Sequence, residues 1–209
     1  LSADPTSSTA RQGVLIQGQS LAAAFGTMSE RLTSSRSEAD STIRATVESV
    51  NALAQRIAGL NKAIALAGGT SSSALSLRDE LDVAVGELSK LVDVGAILRD
   101  DGGLDLTFGS GRPLVVGDNA YQMGIGANPD GTATITSAGV DVTGEVSGGK
   151  IGGLLQVRDV MVPGYLDQLD AIAFTLANQV NALHTSGVDL DGGPGLAFFT
   201  PLASQDGAA

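Results

Sequence analysis

The chain has 209 residues, 43% of them hydrophobic, and a formal net charge of −11 from 12 Lys and Arg against 23 Asp and Glu. It contains no cysteine, which excludes disulfides, thiolate catalysis and cysteine-based metal sites. The excess of acids makes nucleic acid and anionic membrane surfaces poor partners, because binding to phosphates requires Lys and Arg. Aromatic residues make up only 3%, which favours packed helices with small aliphatic side chains over an aromatic-walled ligand pocket.

A long helix is predicted in the first third of the chain. Residues 1–12 are polar and turn-like, and the helical pattern that follows runs to Ala67, where Gly68 and a run of serines end it. The apolar spacing alternates mostly between three and four residues, as in a coiled-coil seam. The apolar positions are Leu21, Phe25, Met28, Leu32, Ala39, Ile43, Val47, Val50, Ala54, Ile57 and Ile64.

A second helix is predicted after the serines. Ser73 or Ser76 is its expected N-cap, and Ser76 to Asp79 has the spacing of a capping box. The short connection favours an antiparallel pair with the first helix. Its predicted apolar face consists of Leu77, Leu81, Val85, Leu88 and Leu91.

From Asp93 the apolar pattern changes from helical to alternating, and glycine-rich turns interrupt it. Residues 94–147 are therefore predicted to form short antiparallel strands that lean on the helices. Helix is expected to return after Pro163 and to end at Gly187. The apolar seam of this helix is expected to pack on the seam of the first helix from Ile43 to Ile64. It consists of Leu166, Leu169, Ala173, Leu176, Val180 and Leu183.

The predicted fold class is α+β: a long antiparallel α-helical bundle or coiled-coil domain with a small antiparallel β-rich insertion. The expected domains are 1–93 (helical), 94–147 (β-rich insertion) and 148–209 (the returning helix and a glycine-rich tail that complete the helical domain). The seams are interpreted as an intramolecular core rather than as contacts between subunits. The opening residues show neither a signal peptide nor a start methionine, and the pattern indicates an excised segment of a longer protein.

Three features of the sequence are candidate chemical sites. His184 is the single histidine, and the sequence has no G-x-S-x-G elbow that would indicate a catalytic triad. It is expected in the last turn of a helix, where a partly charged imidazole interacts favourably with the helix dipole. Asp189 to Gly192 resembles the start of a calcium loop, but the twelfth position is Thr200 instead of Glu, so a turn is expected. Gly148, Gly149 and Lys150 do not match a P-loop. The prediction is therefore a non-enzyme with no catalytic, cofactor-binding or metal residues and no cofactor.

Four stretches together resemble the central part of the hook-associated protein 1 family of the bacterial flagellum. They follow the family's order along nearly the whole chain, and they are specific only in combination. Their sequences are DPTSSTARQGVLIQGQSLAAAF, LRDELDVAVGELSKLVDV, GGKIGGLLQVRD and NALHTSGVDLDGGPGLAFF.

The resemblance implies a non-enzymatic axial protein, exported by the flagellar secretion apparatus and assembled outside the cell as a ring of subunits between hook and filament. The partners it implies are copies of itself, hook protein and the adjacent junction protein. It also implies an export chaperone that binds a terminal region absent from this sequence. Self-contacts would lie mostly in such absent terminal helices. No nucleic acid or membrane partner is expected.

Three other functions remain compatible with the sequence. A filament protein or the other junction protein would share the helical scaffold but not the third and fourth stretches. A secreted coiled-coil adhesin or receptor stalk would have uninterrupted heptads, which the β insertion opposes. A secreted glycan-cleaving hydrolase is the third.

Overall fold

The computed structural model describes residues 6–68, 71–189 and 191–209. Its helices are α1 (Ser8–Ala67), α2 (Ser72–Leu91), α3 (Gly149–Gln156) and α4 (Val162–Thr185), with a π-helical turn over Val157–Met161 and a 3-10 turn over Thr143–Glu145. The strands are β1 (Val94–Leu98), β2 (Leu104–Phe108), β3 (Arg112–Val116), β4 (Asn119–Ala120), β5 (Met123–Ala127), β6 (Ala133–Ser137) and β7 (Val140–Asp141). The predicted α+β class and the long first helix are confirmed.

The chain forms two compact units. The mixed unit is Ser37–Arg158, and the helical unit consists of the described residues of Leu1–Arg36 and Asp159–Ala209. The predicted boundaries at 93/94 and 147/148 mark changes of secondary structure inside the mixed unit. The division into three domains stays a prediction, and the compact units divide the chain at other places.

Helix α2 begins earlier than its sequence suggested. Its N-cap is Ser71, whose hydroxyl accepts a hydrogen bond from the backbone N–H of Ala74 at 3.1 Å. The predicted caps, Ser73 and Ser76, lie inside the helix, because any of several consecutive serines satisfies the sequence rule and only one of them has extended backbone. Within the mixed unit α2 runs antiparallel to α1, and an ion pair joins the two helices, with Arg56 Nη1 3.9 Å from Glu87 Oε2.

The strands form two antiparallel sheets, one with the order β1-β2-β3-β4 and one with the order β5-β6-β7. The β1–β2 hairpin closes at residues 100–102, where Gly102 has φ of 88° and completes a three-residue turn. The sheets share one core with α1, α2 and α3 of the mixed unit. The strands predicted over 94–147 are therefore confirmed, and this segment supplies 8 of the 22 described buried apolar residues of the core.

The α1 seam from Ile43 to Ile64 is completely buried in this core. The sequence predicted that α4 covers it, but in the mixed unit α2, α3 and apolar strand residues such as Leu106 and Phe108 pack with it. A heptad pattern specifies only that a face is buried and not which element covers it. The predicted pairing of the two seams is therefore wrong.

Helical structure returns at Gly149, well before the predicted start at Pro163. Gly148 is the N-cap, and Gly149 has φ of 65°. A Cβ atom on Gly149 would lie 2.5 Å from the backbone nitrogen of Val92 at the end of α2. The glycines of GGKIGG thus permit a tight turn and a close crossing of backbones. Pro163 lies in the first turn of α4, directly after the π-helical turn.

Two asparagines of α1 bind strand backbone in place of a neighbouring strand. The Asn61 amide donates to the carbonyls of Leu104 (2.8 Å) and Gly117 (2.7 Å) and accepts from the Leu104 N–H at 2.9 Å. The Asn51 amide binds both backbone groups of Met123, at 2.9 and 2.8 Å. Each side chain presents a donor and an acceptor side by side, as a peptide group does. These contacts fix the position of each sheet along the axis of α1.

Asp40 and Arg158 act together in the same way at Ala133. The Asp40 carboxylate accepts from the Ala133 N–H at 2.6 Å, and Arg158 donates to the Ala133 carbonyl at 2.7 Å. Arg158 is only 1% exposed and also donates to Asp40 at 2.6 Å. Burial raises the pKa of Asp40, but hydrogen bonds from Ala133, Arg158 and Arg44 outweigh it and hold that pKa below its usual value.

We expect Asn61→Ala to lower the free energy of unfolding by about 2–4 kcal/mol. The substitution leaves three half-buried backbone groups, on Leu104 and Gly117, without their side-chain partner, and each costs about 1–3 kcal/mol where water cannot replace it completely. Chemical denaturation followed by circular dichroism measures the loss. Asn119→Ala, on the exposed β4, is the control and should change stability by less than about 0.5 kcal/mol. Equal values for the two variants would contradict the role given to Asn61.

The mixed unit should lose stability in acid through Asp40. Because its pKa is depressed by folding, the stabilisation is fully present above the unfolded-state value of about 4 and is lost as the pH falls through the lower folded-state value. Asp40→Asn should be less stable at neutral pH and should show a shallower decrease of stability between about pH 5 and pH 2. The measurement is a set of denaturation curves over that range, with the exposed Asp82→Asn as control. An Asp40→Asn profile parallel to that of the unsubstituted chain would exclude this linkage.

Candidate assembly surface

Within residues 6–68, 71–189 and 191–209, no group of three or more His, Asp or Glu side chains is placed to hold a metal ion. Among those residues, none of the helices has the length and apolarity needed to cross a membrane. The prediction that the chain has no catalytic, cofactor-binding or metal residues stays a prediction.

His184 and Asp189, which belong to two of the candidate chemical sites, make hydrogen bonds that hold local structure. His184 lies in the last turn of α4, as predicted, and its Nδ1 is hydrogen-bonded to the carbonyl of Leu196, so this nitrogen carries the hydrogen. The Asp189 carboxylate accepts from the N–H groups of Asp191 (2.9 Å) and Gly193 (2.7 Å), which is an Asx turn. Leu190, within the suspected calcium loop, lies outside the described residues.

The tail after α4 folds back along the helical unit. The Asn181 amide accepts from the Phe199 N–H at 2.8 Å and donates to the Phe199 carbonyl at 3.0 Å. The Phe198 ring packs against His184, with centroids 5.7 Å apart, and meets Phe199 edge-on at 4.8 Å. Farther along, the Asp170 carboxylate accepts from the N–H groups of Gly207 and Ala209 at 3.0 and 2.9 Å.

Glycines permit this docking. A Cβ atom on Gly18 of α1 would lie 2.5 Å from the Phe198 ring, and one on Gly195 would overlap the carbonyl oxygen of His184. The N–H of Gly195 donates to the carbonyl of Gly187 at 2.9 Å. The stretch NALHTSGVDLDGGPGLAFF is therefore a tail-docking motif. The sequence showed its residues but not the contacts that they make with α1.

The helical unit exposes two stripes of apolar side chains. On α1, Val14, Leu21 and Met28 recur every seven residues and are 40%, 38% and 54% exposed. On α4 the stripe is Tyr165 (50%), Ile172 (57%) and Leu183 (76%), at spacings of seven and eleven residues that return to one face of a helix. We call these the α1 stripe and the α4 stripe. The interpretation of these seams as an intramolecular core is wrong for Leu21, Met28 and Leu183.

A shallow depression of about 460 Å³ lies within the same unit, between Leu21 of α1, Val180 and Leu183 of α4, and Phe198 of the tail. A smaller one of about 230 Å³ is lined by Phe25, Ala173 and Leu202. Both are walled almost completely by apolar side chains. Such stripes and depressions are typical of surfaces that bind other proteins, because they remain unfavourably hydrated until they are covered.

We expect Asn181→Ala to loosen the tail around Phe199 without unfolding α4. The substitution removes both hydrogen bonds to Phe199, while the contacts of Leu196 with His184 and of Gly207 with Asp170 still hold the tail on either side. Amide hydrogen exchange at Phe199 and limited proteolysis after residue 186 should both become faster. The neighbouring Asn178→Ala, at an exposed position, provides the control. Unchanged exchange at Phe199 would mean that Asn181 does not hold the tail.

Comparison with known proteins gives consistent matches. Residues 1–199 match the family model described as the flagellar hook-associated protein FlgK helical domain. The chain is 30% identical over 201 residues to flagellar hook-associated protein 1 of Salmonella typhimurium, which covers 91% of this chain and 36% of that protein. The corresponding protein of Escherichia coli strain K12 is 30% identical over 200 residues, covering 91% and 37%. That of Bacillus subtilis strain 168 is 26% identical over 228 residues, covering 95% and 45%.

Among solved structures, the chain is similar to the flagellar hook junction protein FlgK from Burkholderia pseudomallei. The TM-score is 0.75 and the sequence identity 34%, with 94% of this chain and 36% of that chain covered. The chain thus spans a little over a third of the length of this structure and of the Salmonella relative.

Proposed function

Because the chain belongs to the family of flagellar hook-associated protein FlgK helical domains, we propose that it is a structural part of the junction between the flagellar hook and the filament. The longer protein would be exported through the flagellar secretion apparatus and would assemble outside the cell as a ring of subunits. The observation that carries this proposal is the pair of exposed apolar stripes on α1 and α4.

The periodicity of the stripes indicates what should cover them. Repeats of seven and eleven residues are the periods at which α-helices pack along their length. Large side chains such as Met28 and Ile172, each more than half exposed, lose unfavourable hydration when another helix packs on them. Helices of neighbouring axial subunits are occupants of the required kind. A smaller ligand would leave most of each stripe in water.

The chemistry of the described residues supports a role without catalysis. His184 is bound to the tail, and the acids that have shifted pKa values serve structural contacts. For example, hydrogen bonds from Arg112 lower the pKa of Glu145, and the two groups meet at 2.8 and 3.1 Å. We therefore propose that the junction protein acts through binding alone.

The proposed partners are copies of the same protein, hook protein and the adjacent junction protein, with an export chaperone bound to a terminal region before secretion. Nucleic acid and membranes are not among them, since a net charge of −11 opposes binding to anionic surfaces. The site of action is the extracellular flagellum.

Ile172→Asp in the full-length protein should prevent junction assembly without unfolding the subunit. A carboxylate in the middle of the α4 stripe stays hydrated in the free subunit but would be buried without a partner under a neighbouring helix. In a strain that carries only the variant gene, we expect hooks without filaments, loss of swimming, and variant protein in the medium. Electron microscopy, motility assays and immunoblots of the medium measure these three results.

Val83→Asp is the matched control, because Val83 is 58% exposed on α2 of the mixed unit and lies outside both stripes. It should be exported and should support filaments. Both variants should keep the melting temperature of the unsubstituted protein. Normal filaments on the Ile172→Asp strain would rule out the α4 stripe as an assembly surface.

A further inference from the structure

Strand β1 is an exposed apolar sheet edge. It stands at the end of its sheet, paired with β2 alone, and its sequence VGAIL contains no charged residue. Every residue from Gly95 to Leu98 is exposed, with Ile97 at 63% and Leu98 at 74%, so side chains on both faces of the strand meet water. Natural proteins usually protect such an edge with charges, a bulge or a covering segment.

The backbone of β1 is aligned to accept another strand. At the hairpin end the Arg99 N–H donates to the Gly103 carbonyl at 2.9 Å, which makes this a hydrogen-bonded pair. Since hydrogen-bonded and non-hydrogen-bonded pairs alternate along antiparallel strands, the backbone groups of Val94, Ala96 and Leu98 point away from β2. These three residues form a free ladder.

Charged hydrogen bonds hold the turn of the hairpin that carries this edge. Arg99 donates to Asp101 at 3.0 and 3.2 Å and to Asp105 at 3.2 Å, bridging the turn to β2. These hydrogen bonds raise the pKa of Arg99 and lower that of Asp101. The turn beside the free ladder is therefore ordered by contacts within the chain, which reduces the entropy that binding would cost.

The other edges in the described part of the mixed unit are shorter or less exposed than β1. Strands β4 and β7 have two residues each. Strand β5 is as long as β1, but the Asn51 side chain binds both backbone groups of Met123 at its start. Among these edges, β1 is the one that combines five residues with apolar side chains exposed over most of its length.

The sequence around β1 is complementary to itself. An antiparallel pair of two copies centred on Ala96 puts Val94 opposite Leu98 on one face. On the other face it puts Gly95 opposite Ile97, so that a large side chain meets the smallest residue. At both ends Asp93 stands opposite Arg99 of the other copy, so opposite charges face each other there while Arg99 keeps its hydrogen bonds to Asp101 and Asp105 of its own hairpin. This register also brings the outward backbone groups of Val94, Ala96 and Leu98 face to face.

We propose that β1 is a self-association edge, at which two copies of this chain pair antiparallel about Ala96 and join their four-stranded sheets into one of eight strands. This contact is two-fold symmetric and closes on itself, so it differs from the heterologous contacts that build a ring. It is thus independent of the proposed junction function. One strand pair is small for a stable interface, and a charge of −11 on each copy opposes approach, so the pairing is transient.

Covalent trapping suits a transient pair. Because the chain has no cysteine, Ala96→Cys introduces a single thiol at the centre of the predicted pair, opposite its own copy. Under mild oxidation it should form disulfide-linked dimers about tenfold faster than Val140→Cys, since pairing raises the effective thiol concentration. Val140 is the control position because it is 54% exposed on the short edge strand β7.

Two further variants test the register and the edge. Leu98→Cys should cross-link more slowly than Ala96→Cys, because the pairing separates the two copies of residue 98 by about four strand residues, or roughly 13 Å. The double variant Ala96→Cys with Ile97→Lys should cross-link only as fast as Val140→Cys. The double variant Ala96→Cys with Val140→Lys should keep the faster cross-linking rate of Ala96→Cys. Equal rates at positions 96, 98 and 140 would overturn the proposal, as would an Ala96→Cys rate that Ile97→Lys leaves unchanged.

Discussion

The mixed unit depends on the pairing of strand backbone with side chains of a helix. A helix beside the end of a strand cannot offer its own peptide groups, which are already hydrogen-bonded along its axis. Helix α1 instead offers Asn51, Asn61 and, with Arg158, Asp40. Asp40 and Asn61 are separated by 21 residues, so these contacts are distributed over about 30 Å of helix. The apolar seam of α1 holds the sheets by burial, and the polar contacts determine their register against it.

The same device recurs in the helical unit, where Asn181 binds both backbone groups of Phe199. An amide is suited to this because it is neutral and offers a donor and an acceptor together. At Ala133 two charged groups perform the same task and satisfy each other as well, at the cost of removing Arg158 almost completely from water. The buried ion pair is therefore best understood as a backbone ligand, and less as a source of stability in itself.

The sequence predicted those features that depend on local pattern. The end of α1 at Ala67, the strands over 94–147 and the position of His184 in the last turn of α4 all follow from periodicity and from glycine or serine signals. It did not predict contacts between distant segments. Asn51 and Asn61 look like ordinary polar positions on a helix, and nothing local shows that Met123 and Leu104 lie beside them. The partner of the Ile43 to Ile64 seam was mispredicted for the same reason, since several apolar segments of suitable length compete for one face.

Helix α1 shows why a seam cannot be assigned to folding or to assembly from its pattern. Residues 14–28 and residues 43–64 have similar apolar spacing and belong to one continuous helix. The second stretch is buried because strands and α2 of its own unit cover it, whereas Val14, Leu21 and Met28 remain 38–54% exposed. Burial of the second stretch stabilises the mixed unit before any partner is present. The exposed stretch keeps its hydrophobic side chains in water, so similar spacing on one helix gives a buried core face in one part and an exposed apolar face in another.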